Sequence, residues 1–130
     1  MDLNRKPSTI ASAAAEEIRA LNHASLDRKA FENPADVSDT ANALLQLLER
    51  LPQALSQLEA GLLELSDNQR IRLDDKPPAE TSRKDISDQV FAVVWALGQT
   101  RDRLGQAHTE LREATGPLSH MGSPWEVNED

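Results

Sequence analysis

The chain of 130 residues has no cysteine and no tyrosine, and its aromatic residues are two phenylalanines and two tryptophans. Without cysteine there is no disulfide, no thiolate nucleophile and no sulfur ligand for a metal. Long apolar runs are missing too. The longest, Val90 to Leu97, has eight residues, where a membrane-spanning helix needs about 20. Near the start, Arg5 and Lys6 are followed by Pro7, Ser8 and Thr9, and no hydrophobic segment of a secretory signal develops. The expected compartment is the cytoplasm, with no membrane contact.

Basic charge is scarce where it would matter for a nucleic acid. The net charge is −8, and residues 33–66 carry five acids against Arg50 alone. The end of the chain, 116–130, adds three acids and no base. A phosphate backbone would be repelled by both segments, and no basic stripe compensates elsewhere, so direct nucleic-acid binding is not expected. Chemical motifs are equally absent. There is no glycine-rich phosphate loop, nucleophile elbow or Glu-x-x-His ligand pair. His23, His108 and His120 have no metal-ligand spacing, and no pair of carboxylates falls on an inward helix face. The expectation is a non-enzyme with no catalytic residue, no cofactor and no metal.

What the chain does have is a four-and-three repeat of apolar residues. One stripe runs Val37, Ala41, Leu44, Leu48, Leu51, Leu55, Leu58, Leu62, Leu65; a second runs Ile86, Val90, Val93, Leu97, Thr100, Leu104, Ala107, Leu111, Ala114, Leu118. A spacing that averages 3.5 keeps one stripe of a helix against a partner along its whole length. The fold class expected is all-α: a three-helix bundle dominated by a long antiparallel coiled-coil-like hairpin. Helices are expected at about 9–25, 34–65 and 82–115, making a bundle over 1–117, with 118–130 as an acidic, flexible tail.

Local signals set the helix ends. Ser8 or Thr9 can cap helix one, whose apolar face is only Ile10, Ala14, Ile18 and Leu21. Asn33, Pro34 and Asp36 form the clearest helix start. Pro52 stands inside helix two and predicts either a kink or two collinear helices, because it lacks an N–H and collides with the preceding turn. Ile71 and Leu73 alternate with charges and are expected to lie across the bundle end. Ser82 and Asp85 have capping-box spacing at the start of helix three, and Gly116-Pro117 should end it. The small residues of its stripe, Thr100, Ala107 and Ala114, leave room for a close neighbour, while Gly98 and Gly105 mark either close contacts or mobility.

Three features are candidates for function. Phe91 and Trp95, four apart, fall off the stripe on its opposite side, and with Val94 they make this part of helix three apolar all round. Either helix one covers them, through Ile18 and Leu21, or they are a subunit or partner interface. Trp125, among acids near the end of the chain, resembles a short docking peptide, with a fold-back onto the bundle as the other reading. Glu49, Glu59 and Glu64 form a candidate acidic surface. The function expected is a non-catalytic helical protein-interaction module, an adaptor or accessory factor whose partner is itself, as a homodimer, or another protein. The alternative is an acidic, antitoxin-like or nucleic-acid-mimicking regulator that binds a macromolecular partner.

Two segments carry a resemblance. Ala14 to His23 (AAEEIRALNH) and Asn33 to Leu58 (NPADVSDTANALLQLLERLPQALSQL) resemble a recurrent group of small, uncharacterised helical proteins from actinobacteria. The likeness covers the first half of the chain; it implies an all-helical fold and no activity. Type VII secretion substrates are a second comparison, from which the chain departs. Trp95-Ala96-Leu97 lacks the glycine of their Trp-x-Gly turn, and there is no tyrosine for their export signal.

Overall fold

A computed structural model describes residues 1–125. The described residues form three α-helices, α1 (Pro7–Ala24), α2 (Pro34–Asp67) and α3 (Arg83–Leu118), with one-turn 3-10 segments at Arg28–Ala30 and Pro78–Glu80 and no strand. The class is the one expected from the sequence: all-α, with two long helices packed against each other. Their direction is antiparallel. Arg101 of α3 donates to Glu59 and Ser56 of α2, while Ser66, further along α2, shares a cleft with Ile86, earlier in α3. At a rise of about 1.5 Å per residue, α2 and α3 are each roughly 50 Å long.

The starts of both long helices follow from their sequences. Asn33 Oδ1 accepts from the Asp36 N–H at 3.1 Å, and the Asp36 carboxylate accepts from the Asn33 N–H at 3.3 Å. Ser82 and Asp85 make the same reciprocal pair, at 3.1 and 2.9 Å. Each box satisfies two N–H groups that a helix end leaves orphaned. Helix α1 begins at Pro7, with Lys6 preceding it and no side-chain cap, so Ser8 and Thr9 lie inside the helix. Proline at the first position accounts for this, since its fixed φ and missing N–H cost nothing there.

Two proline expectations resolve differently. Helix α2 runs unbroken through Pro52. Helix α3 also continues through Gly116-Pro117 to Leu118, three residues past the expected end. Pro117 stands in the last turn, where only one backbone bond is lost before the helix stops. Helix α2 ends in a Schellman arrangement: Arg70 N–H donates to Leu65 O at 2.9 Å and Gln69 N–H to Ser66 O at 3.0 Å. Gln69 has φ 55°, the left-handed conformation that glycine usually supplies. Ile71 and Leu73 then lie half-buried near the turn end of the hairpin, as their alternation suggested. No close approach explains the helical glycines: a Cβ at Gly105 would meet nothing within 4 Å, and one at Gly98 only the end of the Arg101 side chain, at 3.6 Å.

Helix α1 stands apart. Among the described residues none of α1 is buried, Ile18 and Leu21 being half-buried, and the one extensive contact between elements is that of α2 with α3. The expectation that Ile18 and Leu21 cover Phe91 and Trp95 is therefore corrected: both aromatic side chains are open to solvent. The physical reason is α1's thin apolar face, four residues among alanines and charges, which offers little area to hold it down.

Candidate functional site

The hairpin seam is not the stripe expected from the leucines. Beyond residue 48, the half-buried positions of α2 are Pro52, Leu55, Glu59, Leu62 and Ser66. In α3 they include Val94, Leu97, Arg101, Leu104, His108 and Leu111, with Thr115 buried. One set in each helix agrees with the repeat: Leu48, Leu55 and Leu62, and Leu97, Leu104 and Leu111. The other set is displaced by one residue. Pro52, Glu59 and Ser66 face inward in place of Leu51, Leu58 and Leu65; Val94, Arg101 and Thr115 do so in place of Val93, Thr100 and Ala114. This corrects the expected stripe. Arg101 enters the seam and pairs with Glu59, with Ser56 as a second acceptor at 3.1 Å, and the displaced phase is the one that brings these two residues to the contact.

The displaced residues have a common direction. At 100° per residue, each lies one position N-terminal to a seam residue. The two helices are antiparallel and their seams face each other, so this turn carries both stripes to the same side of the hairpin. On α2 the side reads Val37, Thr40, Leu44, Leu47, Leu51, Ala54, Leu58, Gly61, Leu65, without one charged residue. On α3 it reads Val93, Ala96, Thr100, Arg103, Ala107, Glu110, Ala114. Val37, Leu51, Leu58, Leu65 and Val93 are exposed, Leu58 by 58%, while Thr40, Leu44, Leu47 and Ala107 are half-buried. This leucine face runs about 42 Å from Val37 to Leu65, and its exposed leucines, Leu51 to Leu65, about 21 Å.

Phe91 and Trp95 each follow a seam residue, Val90 and Val94, and so they turn to the opposite side. Phe91 is 70% exposed and Trp95 62%. Leu63, which follows Leu62, joins them there and is also exposed. Beside the aromatic pair lies a shallow hollow of about 280 Å³, whose lining includes Gly98, Gln99 and Asp102. Of the interface candidates, Phe91 and Trp95 share one surface; Val94 is half-buried in the seam between them and α2. Trp125 is 94% exposed and is not folded back on the bundle. The acids expected around it, Glu126, Glu129 and Asp130, lie outside the described residues.

The acidic candidates are not gathered either. Glu59 is in the seam and its charge is matched by Arg101; Glu49 and Glu64 stand outside it, exposed and about 22 Å apart along the axis. At the turn end, a cleft of about 440 Å³ is lined by Ser66, Asp67, Gln69, Ile71, Arg83 and Ile86. It brings together one acid, one base and no nucleophile–base pair. Among the described residues no group of His, Asp and Glu could hold a metal, and His108 is a half-buried seam residue. One carboxyl is perturbed. Asp85 is held below its ordinary 3.8, first by the Ser82 backbone N–H, then by the Ser82 hydroxyl and the ammonium of Lys76 at 3.4 Å. That is a capping effect, not a catalytic one.

The leucine face is what sequence reasoning missed. The signal was present: α2 contains ten leucines, of which Leu44, Leu45, Leu47, Leu48, Leu55 and Leu62 are half-buried while Leu51, Leu58, Leu63 and Leu65 are exposed. No helix of the described chain is long and apolar enough to cross a membrane. Family models, curated proteins and solved structures give no match to this chain.

Proposed function

We propose that the protein is a non-catalytic helical interaction module, an adaptor or accessory factor that associates with itself. The observation that carries this reading is how little the single chain buries. Val90, 7% exposed, is the one hydrophobic residue that counts as buried among the described residues. The accessible surface is 10972 Å², whereas a compact monomer of 14.3 kDa is expected to expose about 6,800 Å². Elongation and the separate α1 account for part of the excess of roughly 4,000 Å². Large apolar side chains stand exposed on two opposite sides of the hairpin, Leu51, Leu58 and Leu65 on one and Phe91 and Trp95 on the other. Phe91 and Trp95 are aromatic anchors of the kind that concentrate binding energy at protein interfaces, and they support the adaptor part of the reading, contact with a further protein.

The test is the mass by light scattering after size exclusion, across a range of concentrations. The expected result is twice 14.3 kDa, falling toward the monomer only on dilution. A strict monomer at every concentration would refute self-association.

A further inference from the structure

We infer that the leucine face is the surface on which a second copy of this chain docks, hairpin on hairpin, to make a four-helix bundle. The inference rests on the self-association proposed above and assigns it to one side of the molecule. Three observations favour a second copy as the occupant. The first is shape. The face carries bulky leucines on α2 and small residues, Thr100, Ala107 and Ala114, on α3. A two-fold axis brings the same patch against itself, so each copy's leucines can settle over the other's small residues.

Charge is the second. The chain carries −8, and copies approaching through an acidic side would repel. The α2 part of this face has no charge at all, and its α3 part holds Arg103 and Glu110, one of each sign. Extent is the third. The chain exposes roughly 4,000 Å² more than a compact monomer of its mass, elongation and α1 included, and within that excess one side of the hairpin has room for the about 800 Å² per partner that a standard interface buries.

The aromatic side points the other way and stays free in this arrangement. That separation makes the inference testable apart from self-association itself. The variant Leu51→Glu with Leu58→Glu changes two exposed side chains, so its helical content by circular dichroism should match wild type. Its dimer dissociation constant should rise by at least about 1,000-fold, leaving a 14.3 kDa monomer. Phe91→Ala with Trp95→Ala should keep the dimer mass.

A second measurement does not depend on the glutamate variant folding. The chain has no cysteine, so a nitroxide at Ala54→Cys reports the leucine face alone, and one at Gln46→Cys reports outside it. On association the first label should lose mobility and the second should not. If the aromatic variant dissociates and the leucine variant does not, the leucine assignment fails while self-association stands. A leucine variant that keeps the dimer mass but loses stability would mean α1 covers this face, and would also overturn it. Wild-type protein that is monomeric throughout removes both readings together.

Discussion

Truncating Phe91 and Trp95 together separates a core from a surface by magnitude. Phe91 is 70% and Trp95 62% exposed, so each keeps only about a third of its area out of water. Full burial of a large apolar side chain is worth roughly 1.5–3 kcal/mol, which makes a third of it about 0.5–1 kcal/mol. Were they core residues, a cavity term would be added and each truncation would cost about 3–5 kcal/mol. Alanine is also the best helix former, and returns a few tenths of a kcal/mol at each position. The double variant should therefore lose about 1–2 kcal/mol, against roughly 6–10 kcal/mol for a packed pair. Urea unfolding followed by circular dichroism at 222 nm, at one protein concentration, reads this directly. The denaturant slope should be unchanged, because little buried area is removed. A loss above about 4 kcal/mol, or a chain unfolded without denaturant, would refute the exposure of the aromatic side in solution.

Other outcomes follow from the caps and the seam. Gln69 holds a left-handed φ of 55°, so Gln69→Gly should stabilise the chain by about 1 kcal/mol in the same denaturation assay. A loss would mean that the α2 terminus is not a Schellman turn in solution. Asp85 has a folded pKa below its ordinary 3.8. Its contribution is thus present above that value and is lost as pH falls through the folded value. The gap in thermal midpoint between wild type and Asp85→Ala should be full at pH 6 and close progressively below about pH 4; a gap independent of pH would exclude the carboxylate as the cap. Arg101→Ala leaves Glu59 unpaired in the seam and should cost about 1–3 kcal/mol, while Arg101→Leu with Glu59→Leu should recover most of it. Failure of the double variant to recover would mean that Arg101 matters through its packing and not through the pair.

The fold was legible because its signals are local and redundant. Asn33-Pro34 and Ser82-Asp85 announce helix starts by chemistry that needs no tertiary context, and the 3.5-residue period tolerates errors of phase. Other features needed three dimensions. The Gln69 turn has no glycine to mark it. Pro117 reads as a stop, yet a helix can carry proline through its last turn. The separation of α1 depends on a balance of small areas that no pattern displays. Phe91 and Trp95 were identifiable as lying off the stripe, but whether α1 covered them was a question about the whole molecule.

The one-residue displacement of the seam is the most informative disagreement. Sequence reasoning turned the leucines of the four-and-three stripe inward, because a leucine facing solvent over Pro52, Glu59 or Ser66 facing the partner looks like wasted burial. In the single hairpin that reasoning fails at Leu51, Leu58 and Leu65. It took α3 as the one neighbour of α2. A helix in a four-helix bundle faces two neighbours roughly at right angles, and its apolar arc is correspondingly wider than a two-stranded seam. The two sets on α2, Leu48–Leu55–Leu62 toward α3 and Leu44–Leu51–Leu58 toward the open side, span such an arc. With Arg101 and Glu59 in the seam, Leu51, Leu58 and Leu65 look outward; in the four-helix bundle proposed above, these leucines would be the part of the repeat that a second copy completes.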